Sequence, residues 1–190
     1  MRKILLSICA LASLLASAQL TVDTTLSPEQ IVEDVFLSNG IFVSNITYVG
    51  GEGFVGSFDG SATTLGLTSG IVMGSGLAVG AIGPNDSGSH TSGGSGIFDY
   101  QDDDLSSILG GYSANDPSII EFDFIATGDS LDFQFVFGSE EYLEYVGSAF
   151  NDGFGFFISG PGISGPYTNG AVNIALVPGT DTPVAINNVN

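Results

Sequence analysis

The stretch IIEFDFIATGDSLDFQFVF, residues 119–137, carries the strongest structural signal in the chain. In its first half Ile120, Phe122 and Phe124 alternate with Glu121 and Asp123. In its second half Leu131, Phe133, Phe135 and Phe137 alternate with Asp132 and Gln134. A period of two puts the rings on one face of an extended backbone and the polar groups on the other. Gly128-Asp129 between the halves is turn chemistry, so the two runs are expected to pair as a β-hairpin.

Outward from this stretch, Ser27-Pro28-Glu29-Gln30 has the form of a helix start. Ser27 is the N-cap, Pro28 occupies the first helical position and Gln30 closes a capping box. Ile31, Val32, Val35 and Phe36 follow at helical spacing and Asn39-Gly40 stops the run, which predicts a helix over 28–37. Asp102-Asp103-Asp104 ahead of Leu105, Ile108 and Leu109 predicts a second, short helix closed by Gly110-Gly111. Ile41 to Val49, Phe54 to Phe58, Gly70 to Met73, Val172 to Val177 and Val184 to Ile186 read as further strands. Phe154 to Ile158 is apolar on both faces and is expected at the centre of a sheet. Short strands, few helices and abundant Gly predict an all-β fold, an antiparallel β-sandwich or jelly-roll-like domain with one short N-terminal helix. Phe122, Phe124, Phe133, Phe135, Phe137 and Phe156 are its expected core, with the 28–37 helix covering one end. Residues 83–96, rich in Gly and Ser around His90, read as a long loop.

The N-terminus differs in character. Arg2 and Lys3 precede an apolar run from Ile4 to Leu15, and Ala16-Ser17-Ala18 fits an A-x-A cleavage site. Residues 1–18 therefore read as a secretory signal peptide and 19–190 as a single domain. Cys9 sits within that run as an apolar filler. The run is too short to span a bilayer, and no later segment reaches the required length of about 18 apolar residues.

The 190 residues contain 2 Lys+Arg and 21 Asp+Glu, a formal net charge of −19. Both bases lie in the signal segment, so residues beyond 18 hold no Lys, no Arg and no Cys. Nucleic acid is excluded as a partner, because its affinity rests on phosphate neutralisation by Lys and Arg. Anionic lipid surfaces are excluded for the same reason, and with them disulfides, thiol chemistry and Lys or Arg ion pairs. Hydrophobic residues make up 43% of the chain and 14 are Phe, which argues for a packed core despite the charge.

Few reactive groups remain. No G-x-S-x-G occurs, and the single His90 lies in the Gly/Ser loop, a poor platform for a catalytic base. Gly51-Glu52-Gly53-Phe54-Val55-Gly56 fits G-x-G-x-x-G, but no helix follows, so it is a chance match. One His without Cys excludes an ordinary zinc site. The carboxylates fall into clusters: Glu140, Glu141 and Glu144 near Asn151 and Asp152; Asp99 with Asp102, Asp103 and Asp104; and Asn115-Asp116. One reading has Glu140, Glu141, Asn151 and Asp152 hold Ca2+, since hard cations collect carboxylate, amide and carbonyl oxygens from loops. Two loops, each flanking an aromatic strand, would bring these four together. A second reading makes Glu140 and Glu141 a glycosidase pair. Adjacent residues on an extended chain point to opposite faces, and the chain has no Trp to line sugar subsites. In a third, the acids are solvated loop residues. Asn45-Ile46-Thr47 and Asn85-Asp86-Ser87 fit the N-glycosylation pattern.

Three segments together resemble the choice-of-anchor L domain: IIEFDF at 119–124, FVFGSEEY at 135–142 and FNDGFGFFISGPG at 150–162. The ending NIALVPGT at 173–180 with VAINNVN at 184–190 is similar too, and the resemblance runs from about Leu26 onward. It implies a secreted bacterial surface domain, anchored by a segment that varies between members, with no enzymatic activity attached. Leu143 departs from the family pattern, which often has Pro there. Family domains usually continue through further strands, so the domain is expected to be incomplete at its C-terminus. The resulting expectation is a non-enzymatic extracellular module for adhesion or matrix interaction. Its partner would be a surface glycan or a protein ligand, and Ca2+ its one possible cofactor. The alternative is a carbohydrate-binding module that stacks sugars on Tyr100, Tyr112, Tyr142 or Tyr145.

Overall fold

The structure, a computed structural model, describes residues 19–37, 41–86, 93–97 and 99–189. The segment read as a signal peptide (with Cys9), the Asn39-Gly40 stop and His90 lie outside the described residues. In chain order the strands are β1 (Thr21–Asp23), β2 (Ile41–Val49), β3 (Val55–Asp59), β4 (Ser69–Met73), β5 (Ile119–Ala126), β6 (Gly153–Phe154), β7 (Phe157–Ile158), β8 (Val172–Asn173) and β9 (Val184–Ala185). They form a three-stranded sheet ordered β1-β3-β4 and three two-stranded ladders, β2-β5, β6-β9 and β7-β8. All these pairings are antiparallel. The fold is thus mostly β, with small, unclosed sheets that draw neither a complete sandwich nor a jelly roll.

Both predicted helix starts are formed. Helix α1 (Pro28–Gln30) runs on into a π-helical turn at Ile31–Phe36. The Gln30 amide donates to Ser27 Oγ at 3.3 Å and the Ser27 amide to Gln30 Oε1 at 2.9 Å, the two halves of a capping box. Helix α2 (Asp103–Ile108) is capped by Asp102, whose Oδ1 accepts from the Leu105 amide at 2.8 Å. Past its end Gly110 and Gly111 take positive φ. The apolar stripe of the first helix does its work at Ile31 and Val32, which are wholly buried. Removing side chains of this size from water stabilises by about 1.5–3 kcal/mol each.

The hairpin expected from residues 119–137 is not formed. The ladder partner of β5 is β2, in a register that sets Ile41 opposite Ala126 and Val49 opposite Ile119. Residues 131–137 lie outside any ladder, although the predicted alternation is real. Phe133, Phe135 and Phe137 are half-buried, while Asp132, Gln134 and Val136 are exposed. Periodicity of two reports an extended backbone with one face inward; it does not say which strand, if any, supplies the hydrogen bonds. Phe154 to Ile158 likewise divides in two. Its halves β6 and β7 each pair on one side only, with β9 and β8, so it is not a central strand.

The β2-β5 ladder is interrupted between Ser44 and Thr47. At this bulge Asn45 takes φ 54° and its Nδ2 donates to Asp123 Oδ2 at 2.6 Å. The side-chain amide of that glycosylation pattern is therefore engaged within the fold.

The expected rings other than Phe137 do meet ring neighbours. Phe36 stands edge-on to Phe122 and Phe156 at 6.2 and 6.1 Å between centroids. Phe133 meets Phe156 at 4.4 Å and Phe135 meets Phe154 at 5.3 Å. Phe36 thus joins Phe122 and Phe124 on one side to Phe156, Phe133 and Phe135 on the other, so the helix bridges the middle of an aromatic row instead of covering its end as expected. The fully buried side chains lie elsewhere: Phe54 near β3, Ile31 and Val32 in the helix, and Val184 and Ile186 at the C-terminal end. The aromatic row itself is only half-buried.

Candidate functional site

The run from Ser139 to Asp152 is a chain of turns between the extended aromatic segment and β6. Ser139 Oγ accepts from the Glu141 amide at 3.0 Å, and the Tyr145 amide donates to the Glu141 carbonyl at 2.9 Å. The Ser148 amide returns to the Tyr145 carbonyl at 3.0 Å. The rings of Tyr145 and Phe150 meet edge to face at 5.3 Å. These local bonds fold the ten residues between Glu141 and Phe150 back on themselves, which carries Glu140 and Glu141 toward Asp152.

Electrostatics report that approach. The Glu141 carboxyl is raised above its ordinary range, first by burial, then by the charges of Asp152 and Glu140. The Asp152 carboxyl is also raised, by burial and then by Glu140, although the residue as a whole keeps solvent contact. The three acids singled out in the sequence therefore share one neighbourhood. No three Asp, Glu, His or Cys side chains among the described residues stand in metal-holding geometry.

Asn151 has a different duty. Its Oδ1 accepts from the Asn187 amide at 3.0 Å. Asn187 in turn takes the Gly147 amide on its Oδ1 and donates Nδ2 to the Ser148 carbonyl at 3.2 Å. The Ile186 amide donates to the Asp152 carbonyl at 3.0 Å. Asn187 lies in the VAINNVN stretch that carries part of the family resemblance, but nothing in the sequence singles it out from the neighbouring Asn188 and Asn190.

Asp99, Asp102 and Asp104 of the second acidic cluster are engaged in hydrogen bonds, one set local and one to a distant segment. Asp102 caps α2, and Asp104 Oδ1 accepts from the Thr168 amide at 2.9 Å and its hydroxyl at 3.2 Å. Asp99 Oδ1 accepts from Gln101 Nε2 at 3.4 Å. In the third cluster Asn115 Oδ1 accepts from the Asp99 amide at 3.0 Å, while Asp116 Oδ1 is buried without a hydrogen-bond partner. Of the candidate sugar-stacking residues, Tyr142 and Tyr145 belong to the acidic loop, Tyr112 is exposed, and Tyr100 bridges Ala114 through its backbone.

This arrangement, small antiparallel ladders with an acidic, aromatic surface loop, defines a mostly β module. Residues 20–190 match the model of the choice-of-anchor L domain, and the chain belongs to that family. The family is one of surface-associated extracellular modules, and no helix among the described residues is long and apolar enough to cross a membrane. No curated protein and no solved structure matches the chain.

Proposed function

We propose that the chain is a non-catalytic surface module for adhesion or matrix interaction, whose loop 139–152 meets a glycan or protein ligand and gathers Ca2+ at Glu140, Glu141 and Asp152. The observation behind this reading is the shared neighbourhood of three carboxylates in a region without any Lys or Arg to balance them. Crowded carboxylates raise one another's pKa, and a bound cation removes that repulsion. The ion would draw the three together from their present spacing. Asn151 Oδ1 keeps a second lone pair beyond the one given to Asn187, so it is able to complete the set. Extracellular sites of this kind bind at roughly 10⁻⁴ to 10⁻³ M.

The test is a thermal melt of residues 19–190 in excess EDTA and in millimolar Ca2+, with NaCl at matched ionic strength. A Ca2+-specific rise that disappears in Asp152→Asn and Glu141→Gln supports the reading. A rise no larger than that from NaCl overturns it. A specific rise that survives both substitutions moves the site to another cluster.

A carbohydrate ligand is the second reading. Tyr142 is 43% exposed beside the acids, and the Tyr145–Phe150 pair stands on the same loop. Rings for stacking and carboxylates for hydroxyl groups are the components of a sugar site. A glycan array with wild type and Tyr142→Ala separates the two readings.

A further inference from the structure

The acidic loop is closed by groups far from it in sequence. Four hydrogen bonds tie residues 147–152 to residues 186–187: Gly147 amide to Asn187 Oδ1, Asn187 Nδ2 to Ser148 carbonyl, Asn187 amide to Asn151 Oδ1 and Ile186 amide to Asp152 carbonyl. Directly beside them β6 and β9 add a two-residue ladder, Gly153 opposite Ala185 and Phe154 opposite Val184. The strap is anchored from below, since Val184, Ala185 and Ile186 are 2%, 0% and 0% exposed. At its other end Gly147 takes φ 78°, a conformation that glycine adopts without strain and that turns its amide to the Asn187 side chain.

We infer that residues 183–188 form a strap that sets the shape of the 147–152 loop, and that Asn187 is the positioning residue through which it acts. One side chain holds both a donor and an acceptor of the loop, and its own amide engages a third group. No other residue of the described segment 183–189 does this. Asn188 Nδ2, for comparison, reaches only the Pro183 carbonyl at 3.0 Å, within the strap itself. The apolar side chains supply the docking energy, and the Asn187 bonds convert docking into one loop geometry. Asp152 is the last residue of that loop, so the strap also decides where its carboxylate stands.

Amide hydrogen exchange on residues 19–190 tests this without any ligand. In Asn187→Ala the Gly147 amide should exchange at least about tenfold faster, the loss of one hydrogen bond worth roughly 1.4 kcal/mol. Amides of the β2-β5 ladder should not change. Asn187→Asp keeps an acceptor for Gly147 and should leave that amide protected, whereas Asn188→Ala should leave the whole loop as in wild type. An Asn187→Ala protein whose Gly147 amide exchanges as slowly as wild type overturns the strap. So does one whose amides exchange faster everywhere, because Asn187 would then support the fold at large. Should Asn187→Ala fail to fold, Asn151→Ala removes the acceptor of the Asn187 amide and must speed that amide alone. The strap is independent of the cation reading. If wild type shows no Ca2+ response, the proposed site falls and the exchange result still decides the strap.

Discussion

Phe54 offers the sharpest check on where the core lies. It is 1% exposed, and its ring fills space left by three glycines. A Cβ built on Gly51, Gly94 or Gly96 would come within 2.7, 2.5 or 2.9 Å of that ring. The surrounding backbone already touches the ring and has little freedom to collapse if the ring is removed. Phe54→Ala should therefore lose transfer energy and leave a cavity, a cost of about 3–5 kcal/mol. For a domain of this size each kcal/mol lowers the melting midpoint by about 2–4 °C, so the expected drop is roughly 6–20 °C. The control is Phe42→Ala. Phe42 is 68% exposed on β2, opposite Ile125 at 71%, and its truncation should stay within about 0.5 kcal/mol. Differential scanning calorimetry on both variants gives the answer. A Phe54→Ala loss below about 1 kcal/mol, or one no larger than that of Phe42→Ala, would refute this account of the core. Gly51→Ala should also be less harmful in the Phe54→Ala background than alone, because its clash with the ring is gone and only that with the Ser95 carbonyl at 2.8 Å remains.

Asp152→Asn in EDTA should stabilise the protein at neutral pH. The wild-type carboxyl has a raised folded pKa, so the folded state carries a penalty above that pKa which fades as pH falls toward the unfolded value of about 3.9. The advantage of the Asn variant in urea titrations should shrink between about pH 7 and pH 4, and an advantage that grows on acidification refutes the assignment. Ser27→Ala removes one arm of the capping box and should lower stability by about 1 kcal/mol, read from the urea midpoint. Asp102→Ala should have a similar effect through α2, and a null result for both would mean that these helices are held by packing alone.

What was legible in the sequence was local. The capping box of Ser27 and Gln30 and the Asp102 cap depend on residues three apart, and both are formed. The alternation of Phe122 and Phe124, and of Phe133 and Phe135, correctly placed the rings on one face. Glu140, Glu141 and Asp152 do come near one another, but not by the strand pairing the sequence suggested: residues 131–137 join no ladder and β6 pairs with β9, while Phe135 and Phe154 meet only through their rings. Choice of partner was not legible. Nothing in Ile41 to Val49 marks it as the mate of β5, and a Gly-Asp turn was a plausible but mistaken reason to pair β5 with residues 131–137. The role of Asn187 was hidden because it depends on backbone groups of Gly147 and Ser148, which have no sequence signature. The same holds for the orphaned Asp116 oxygen, which differs from other acids only in what surrounds it.

The β2-β5 ladder has a kinetic consequence. It joins residue 41 to residue 126, and the whole β3-β4 hairpin and α2 lie inside the loop it closes. The short β6-β9 ladder similarly waits for residue 185 to reach residue 153. Entropy lost in closing such loops must be met before their contacts form, so chains of this topology fold on the millisecond-to-second scale, well behind helical bundles. The β3-β4 pair, closed by residues 59 and 69, is the local unit able to form early. Until the distant strands arrive, Phe122, Phe124 and the rings that follow remain in solvent together. During that interval the abundant negative charge serves as protection, keeping unfinished chains apart while their aromatic faces are still uncovered.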